Sequence, residues 1–234
     1  MLADKADQLV LIELDGALAD MLTERFADNE NVRVIESDAR DLDFLEGGDV
    51  PEVVGRPYKV VANLPYYAAA NIIRRFLESS NPPTEIVVMI QREVALEMAA
   101  PVGKMGMLSV ATRFYADAEV MFDVPGDAFI PPPKVVSSVI RLVKRADKAL
   151  AVDDEAAFFK FVRAGFKAPR KQLHNSISRG LIIEVEEASE IIARAELDPM
   201  RRPRTLSIDE WGRLYEARIA IVAEAAESDG ADAQ

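Results

Sequence analysis

The sequence predicts an α/β protein, a doubly wound parallel sheet followed by a small all-helical C-terminal domain. Three observations predict it. Short apolar runs alternate with amphipathic segments early in the chain, two strands then follow with no long helix between them, and from about Lys148 only helical periodicity remains. In order, Gln8 to Leu14 reads as a buried strand, and Ala17 to Ala27 as a helix with Leu18, Met21, Leu22 and Phe26 on one side. Val32 to Glu36 is a second strand, followed by an acidic loop from Ser37 to Gly48. Val60 to Ala62 is the third, with its helix from Ala70 to Glu78; Ile86 to Ile90 is the fourth, leading into a helix from Arg92 to Ala99. Glu119 to Val124 and Val136 to Val143 read as a hairpin around the proline-rich turn Phe129 to Pro133.

Beyond that turn the pattern changes. Phe158, Phe159, Phe161, Val162 and Phe166 give one helix a thick apolar face. Glu184 to Ala195 and Ile208 to Ala226 read as two more, the last capped by Ser207 with Glu210 three residues on. A boundary near residue 147 separates the sheet domain, 1–147, from a helical domain, 148–226; the small, polar residues 227–234 are expected to be disordered.

Composition excludes several classes. No cysteine occurs in the 234 residues, so disulfides, thiolate catalysis and cysteine metal sites are ruled out, and a cytoplasmic location is the default. No apolar run approaches a membrane span, and the first residues are not those of a signal peptide. Asp38, Asp41 and Asp43 lack the glycine and closing glutamate of a calcium loop, and no metal is expected. His174 is the only histidine, which argues against hydrolase triads. The net charge of −12 disfavours nucleic acid as a whole-molecule argument, yet cations gather locally. Lys134, Arg170, Lys171, Arg201 and Arg202 belong to such clusters, compatible with one RNA-binding face or with solvated helix surfaces.

Asn63-Leu64-Pro65-Tyr66, directly behind the apolar run Val60 to Ala62, is the most informative segment. A strand ending in a polar side chain and a proline points at the ligand side of an open α/β sheet. The Asn63 side-chain oxygen and the Leu64 carbonyl, its direction fixed by Pro65, are two acceptors beside the Tyr66 ring. Such a set suits an exocyclic amine on a planar base; the alternative is a strand-to-helix loop with a structural proline. Glu13, at the end of the first strand, lies where nucleotide-binding sheets hold ribose hydroxyls, or is simply an exposed strand-end acid. Asp38 could accept from a cofactor's adenine amine. Phe129, ahead of three prolines and Lys134, is either a base-stacking ring or core filler.

Taken together, Leu11 to Asp15, Ser37-Asp38-Ala39, Asn63 to Tyr66, Gln91 to Ala95, Leu108-Ser109-Val110, Phe129 to Val135 with Ser137, and Arg201-Arg202-Pro203 with Thr205 to Ser207 resemble the ribosomal RNA adenine N6,N6-dimethyltransferase family. The resemblance covers essentially the whole chain. It implies a Rossmann-like class I methyltransferase domain, S-adenosylmethionine as methyl donor, and small-subunit rRNA in an immature small ribosomal subunit as the partner of a monomer. By it, Glu13 would hold the cofactor's ribose and Asp38, with Ala39 beside it, the adenine amine. Asn63 would line cofactor and target, and Leu64, Pro65, Tyr66 and Phe129 would hold and clamp the target base. Lys134, Arg170, Lys171, Arg201 and Arg202 would meet RNA. The family's glycine-rich loop and the strand before it are not matched, which points to a fragment or a degenerate copy, with gaps expected in the sheet. Ala69 and Asn71 stand where the family usually has serine and proline. A non-catalytic ribosome-assembly factor and the large-subunit methyltransferases of macrolide resistance remain as alternatives.

Overall fold

The computed structural model describes residues 2–42 and 48–231, with side chains up to residue 227; Asp43 of the acidic loop lies outside the described residues. The chain divides into two compact units, Met1–Ile90 and Gln91–Gln234.

The first unit is built from two β-α-β turns. Strand β1 (Leu9–Glu13), helix α1 (Gly16–Arg25) and strand β2 (Val32–Glu36) form one, with β1 and β2 parallel and Glu13 opposite Glu36. Strand β3 (Lys59–Asn63), helix α2 (Ala69–Glu78) and strand β4 (Glu85–Gln91) form the other, again parallel, with Asn63 opposite Met89. Parallel pairing with a helical crossover is what the strand-helix alternation predicted. Among the described residues of this unit, β1 pairs only with β2 and β3 only with β4. The expected gap in the sheet is therefore present between the two pairs.

The two turns differ in burial. Ala69, Ile72, Ile73, Phe76 and Leu77 form a continuous buried stripe on α2, and Ile86, Val88 and Ile90 alternate inward on β4. On α1 only Ala19 is buried; Leu18 is 48% and Met21 65% exposed. The apolar side read from the α1 sequence exists, but little covers it.

The second unit opens with α3 (Arg92–Met98) and α4 (Met107–Tyr115). Helix α4 was not anticipated. Its start is fixed locally, the Gly106 amide donating to Ser109 Oγ at 2.7 Å. Strands β5 (Ala116–Val124) and β6 (Ser137–Lys144) then form the expected antiparallel hairpin, with a register shift between Val120 and Phe122. Only helices follow: α5 (Glu155–Gly165), α6 (Leu173–Leu181), α7 (Val185–Arg194) and α8 (Ile208–Ala231). The last strand ends at Lys144 and the next helix begins at Glu155, while the two compact units divide between Ile90 and Gln91. Helix α8 runs through to Ala231.

Aromatic rings hold this unit together. Phe114, Phe158 and Trp211 are fully buried, with Phe114 against Phe158 at 5.6 Å and Phe166 against Trp211 at 5.1 Å between ring centres. Two glycines permit the packing: a Cβ on Gly165 would lie 2.5 Å from the Trp211 ring, and one on Gly180 would lie 1.9 Å from the Ala164 carbonyl oxygen. The predicted cap of α8 is present in both directions. Ser207 donates its amide to Glu210 at 2.8 Å, and the Glu210 amide donates to Ser207 Oγ at 3.2 Å.

Candidate active site

The strand ends of the first unit assemble a polar rim. β3 stops at Asn63 because the next amide, that of Leu64, still bonds Met89 O at 3.2 Å while Pro65 has no amide to continue the ladder. The Pro65 carbonyl then accepts from the Ala68 and Ala69 amides, both at 3.0 Å, and α2 begins. The buried Leu64 side chain anchors this turn, so Asn63 is held outward. Its side-chain amide and the Leu64 carbonyl form no hydrogen bond to the described residues. Tyr66 is half-buried and Tyr67 is 74% exposed. Ala69, at the place of the family's serine, is almost fully buried, and Asn71 is exposed.

The β1–β2 pairing sets Glu13 opposite Glu36, two residues before Asp38, with the Ser37 amide donating to Glu13 O at 2.9 Å. One Glu13 oxygen, Oε1, accepts from the Leu14 and Asp15 amides at 2.9 and 3.0 Å, which orients the carboxylate and leaves Oε2 without a partner among the described residues. Asp15 caps α1 by accepting from the Leu18 amide at 3.1 Å. Glu36 joins this group, its carboxylate so close to Gly16 that a Cβ there would meet it at 2.9 Å. Among the described residues no cluster of acids and histidine is arranged to hold a metal.

Asp38 carries a partner the sequence reading missed. Its Oδ1 accepts from the Arg40 amide at 2.8 Å and from Arg40 Nε at 3.0 Å, and its Oδ2 accepts from Nε at 3.0 Å and Nη2 at 2.5 Å. These hydrogen bonds hold the Asp38 carboxyl down at about 2. The Arg40 guanidinium also lies 5.8 Å from the centre of the Tyr67 ring. Arg40 thus joins the Asp38 loop to the loop that follows Asn63. Only its spacing, two residues past an acid, could have signalled this.

In the second unit Phe129 is half-buried after a short turn, its amide donating to Gly126 O at 3.2 Å, and Lys134 is exposed. Arg170, Lys171 and Arg202 are exposed, and none of these four cations forms an ion pair among the described residues. Arg201 differs from them. Its guanidinium is bound to both Glu210 oxygens, at 2.5 Å and 2.9 Å, and to Thr205 O at 2.5 Å. The same pairing raises Arg201 and lowers Glu210 from their ordinary values. His174 is likewise internal, between Pro199 O at 2.9 Å and Asn175 at 2.8 Å.

Residues 1–215 match the family model described as ribosomal RNA adenine dimethylase. A Dehalococcoides mccartyi protein described as ribosomal RNA small subunit methyltransferase A is 40% identical over 215 residues, 91% of this chain and 72% of that protein. Its Enterococcus faecalis namesake is 39% identical over 221 residues, 92% of this chain and 75% of that protein. Among solved structures, a dimethyladenosine transferase from Plasmodium falciparum superposes with a TM-score of 0.76 at 20% identity, covering 91% of this chain and 82% of that one. The 23S rRNA methyltransferase ErmE superposes with a TM-score of 0.65 at 23% identity, covering 92% and 84%. These two likenesses establish the fold.

The architecture is that of a Rossmann-like methyltransferase with a helical C-terminal region. The chain belongs to the ribosomal RNA adenine dimethylase family, enzymes of the S-adenosylmethionine-dependent class. The chemistry of the strand-end residues is compatible with the adenosine end of that cofactor, since Glu13 Oε2 and the Asp38 carboxylate are acceptors and ribose hydroxyls and an adenine amine are donors.

Proposed function

We propose that this chain transfers methyl groups from S-adenosylmethionine to the N6 amines of two adjacent adenosines near the 3′ end of small-subunit rRNA, acting on the immature small subunit in the cytoplasm. The observation that carries this reading is the pair of open acceptors at the end of β3, Asn63 and the Leu64 carbonyl, beside Tyr66. S-adenosylmethionine supplies an electrophilic methyl on its sulfonium. Everything else falls to the chain. In the first transfer Asn63 Oδ1 and the Leu64 carbonyl accept the two N6 hydrogens and so turn the nitrogen lone pair outward; in the second they share the one hydrogen that remains, and the proton lost at each transfer passes to water. Pro65 holds the Leu64 carbonyl in place. Tyr66 stacks on the flipped base. Positioning is the main source of rate, with no general base or metal.

The exposed Lys134, Arg170, Lys171 and Arg202 are proposed phosphate contacts. Arg201, given the same role by sequence, is better read as the residue that holds the preceding loop against α8. The similarity of the Dehalococcoides and Enterococcus relatives supports small-subunit rRNA over the large-subunit alternative.

The test is methyl transfer from labelled S-adenosylmethionine to purified immature small subunits. Asn63→Ala is expected to lower the rate by on the order of 100-fold while leaving RNA affinity within about twofold. Equal loss of both would remove Asn63 from the target site. A second reading, an assembly factor without catalysis, is favoured by the edges of β1 and β3 that have no partner strand among the described residues; retained subunit binding without any methylation would establish it.

A further inference from the structure

We propose that Arg40 is a latch on the adenine subsite: its guanidinium occupies the carboxylate that the cofactor's amine must reach, so that binding proceeds by exchange of one donor for another. This rests on the assignment of Asp38 as the adenine acceptor.

The geometry argues for competition. A carboxylate offers about four lone-pair positions. The Arg40 amide, Nε and Nη2 bring three hydrogens to Asp38, with the single Nε hydrogen shared between the two oxygens. The Asp38 side chain is only 15% exposed with Arg40 in place, whereas Arg40 itself is 44% exposed. The carboxylate is therefore covered by a group that solvent can readily take up. An incoming amine therefore meets Asp38 in competition with Nε and Nη2, which cover most of the carboxylate. The backbone bond from the Arg40 amide uses a single lone pair and can persist, so the loop keeps its shape during the exchange.

Arg40 also has somewhere to go. The Tyr67 ring lies 5.8 Å from its guanidinium carbon, within cation–π range, and the neighbouring Asp41 favours its charge. Tyr67 follows the Asn63 to Tyr66 segment directly, so the displaced guanidinium would settle against the loop proposed to receive the target base. Filling the adenine subsite is thereby coupled to the target loop through one side chain. An exposed ion pair of this kind is weak enough to yield to a ligand and strong enough to tax it.

Calorimetric titration with S-adenosylhomocysteine tests this without involving RNA or turnover. Arg40→Ala is expected to tighten binding about threefold, the scale of an exposed pair, and Arg40→Lys to fall between the two. S-inosylhomocysteine, whose base lacks the amine, is the second probe. It gains nothing from Arg40→Ala if the competition is for Asp38. Unchanged or weaker binding of S-adenosylhomocysteine by Arg40→Ala overturns the latch, as does an equal gain for both ligands. Asp38→Ala separates the two levels of the argument: at least tenfold weaker binding sustains the adenine assignment whatever Arg40 does. Binding as tight as that of the unaltered chain, or no binding by any folded variant, removes the assignment and the latch together.

Discussion

The two compact units solve the problem of burial unequally. In the second, aromatic rings from α4, α5 and α8 interlock, and glycines at 165 and 180 admit neighbours at distances no side chain would allow. In the first, α2 and β4 are packed, but β1, α1 and β2 are not: every residue of β1 is only half-buried, and Leu18 and Met21 stand in solvent. The difference lies in what covers each face. Periodicity places apolar residues on one side of an element; a core exists only where another element meets that side. The candidate active site sits on the less consolidated unit, and the cations proposed for RNA on the better packed one.

The largest contrast is expected from truncating one apolar side chain in each unit. Trp211→Ala should cost about 4 kcal/mol, as large aromatic deletions from a full core do. Met21→Ala should lie within about 0.5 kcal/mol. Urea unfolding measures both, and similar losses would mean that α1 is buried in solution. Next comes Arg201→Ala, expected to cost about 2 kcal/mol through the loss of charged hydrogen bonds to Glu210 and Thr205. This loss depends on pH. Glu210 titrates below its ordinary 4.5 in the fold, so its share of stability is full above that value and disappears as the pH falls through the lowered one. A mutant whose deficit persists in acid would show that packing, not charge, is lost. The smallest effect on stability, and the largest on behaviour, belongs to Leu18→Lys with Met21→Lys. Unfolding should change little while binding of an apolar dye falls, and unaltered dye binding would place the exposed surface elsewhere.

Strand ends were legible because the apolar runs stop abruptly: β2 was read to the residue, and β3 and β4 within one. The α8 cap was legible because Ser207 and Glu210 have fixed spacing. Helix α4 was not, since Val110, Thr112, Phe114 and Tyr115 carry strand preference and packing overrides it. The separate roles of Arg201 and Arg202 were invisible for a different reason. Adjacent residues of equal charge differ only in whether a partner folds back onto them, and Glu210 does so for Arg201 alone. Arg40 was missed because its importance comes from Asp38 and Tyr67 together, a relation that no linear pattern encodes.

The loop before α8 has one further consequence. It is fastened at several points: the Leu173 amide to Arg201 O at 2.7 Å, the Met105 amide to Arg204 O at 3.1 Å, and Pro199 O to His174. Arg202 and Arg204 project from this fastened backbone into solvent. A polyanion meeting them would surrender only side-chain rotamer freedom, because the main chain has already lost its own. Attachment there would be preorganised, with little conformational entropy left to forfeit when the contact forms.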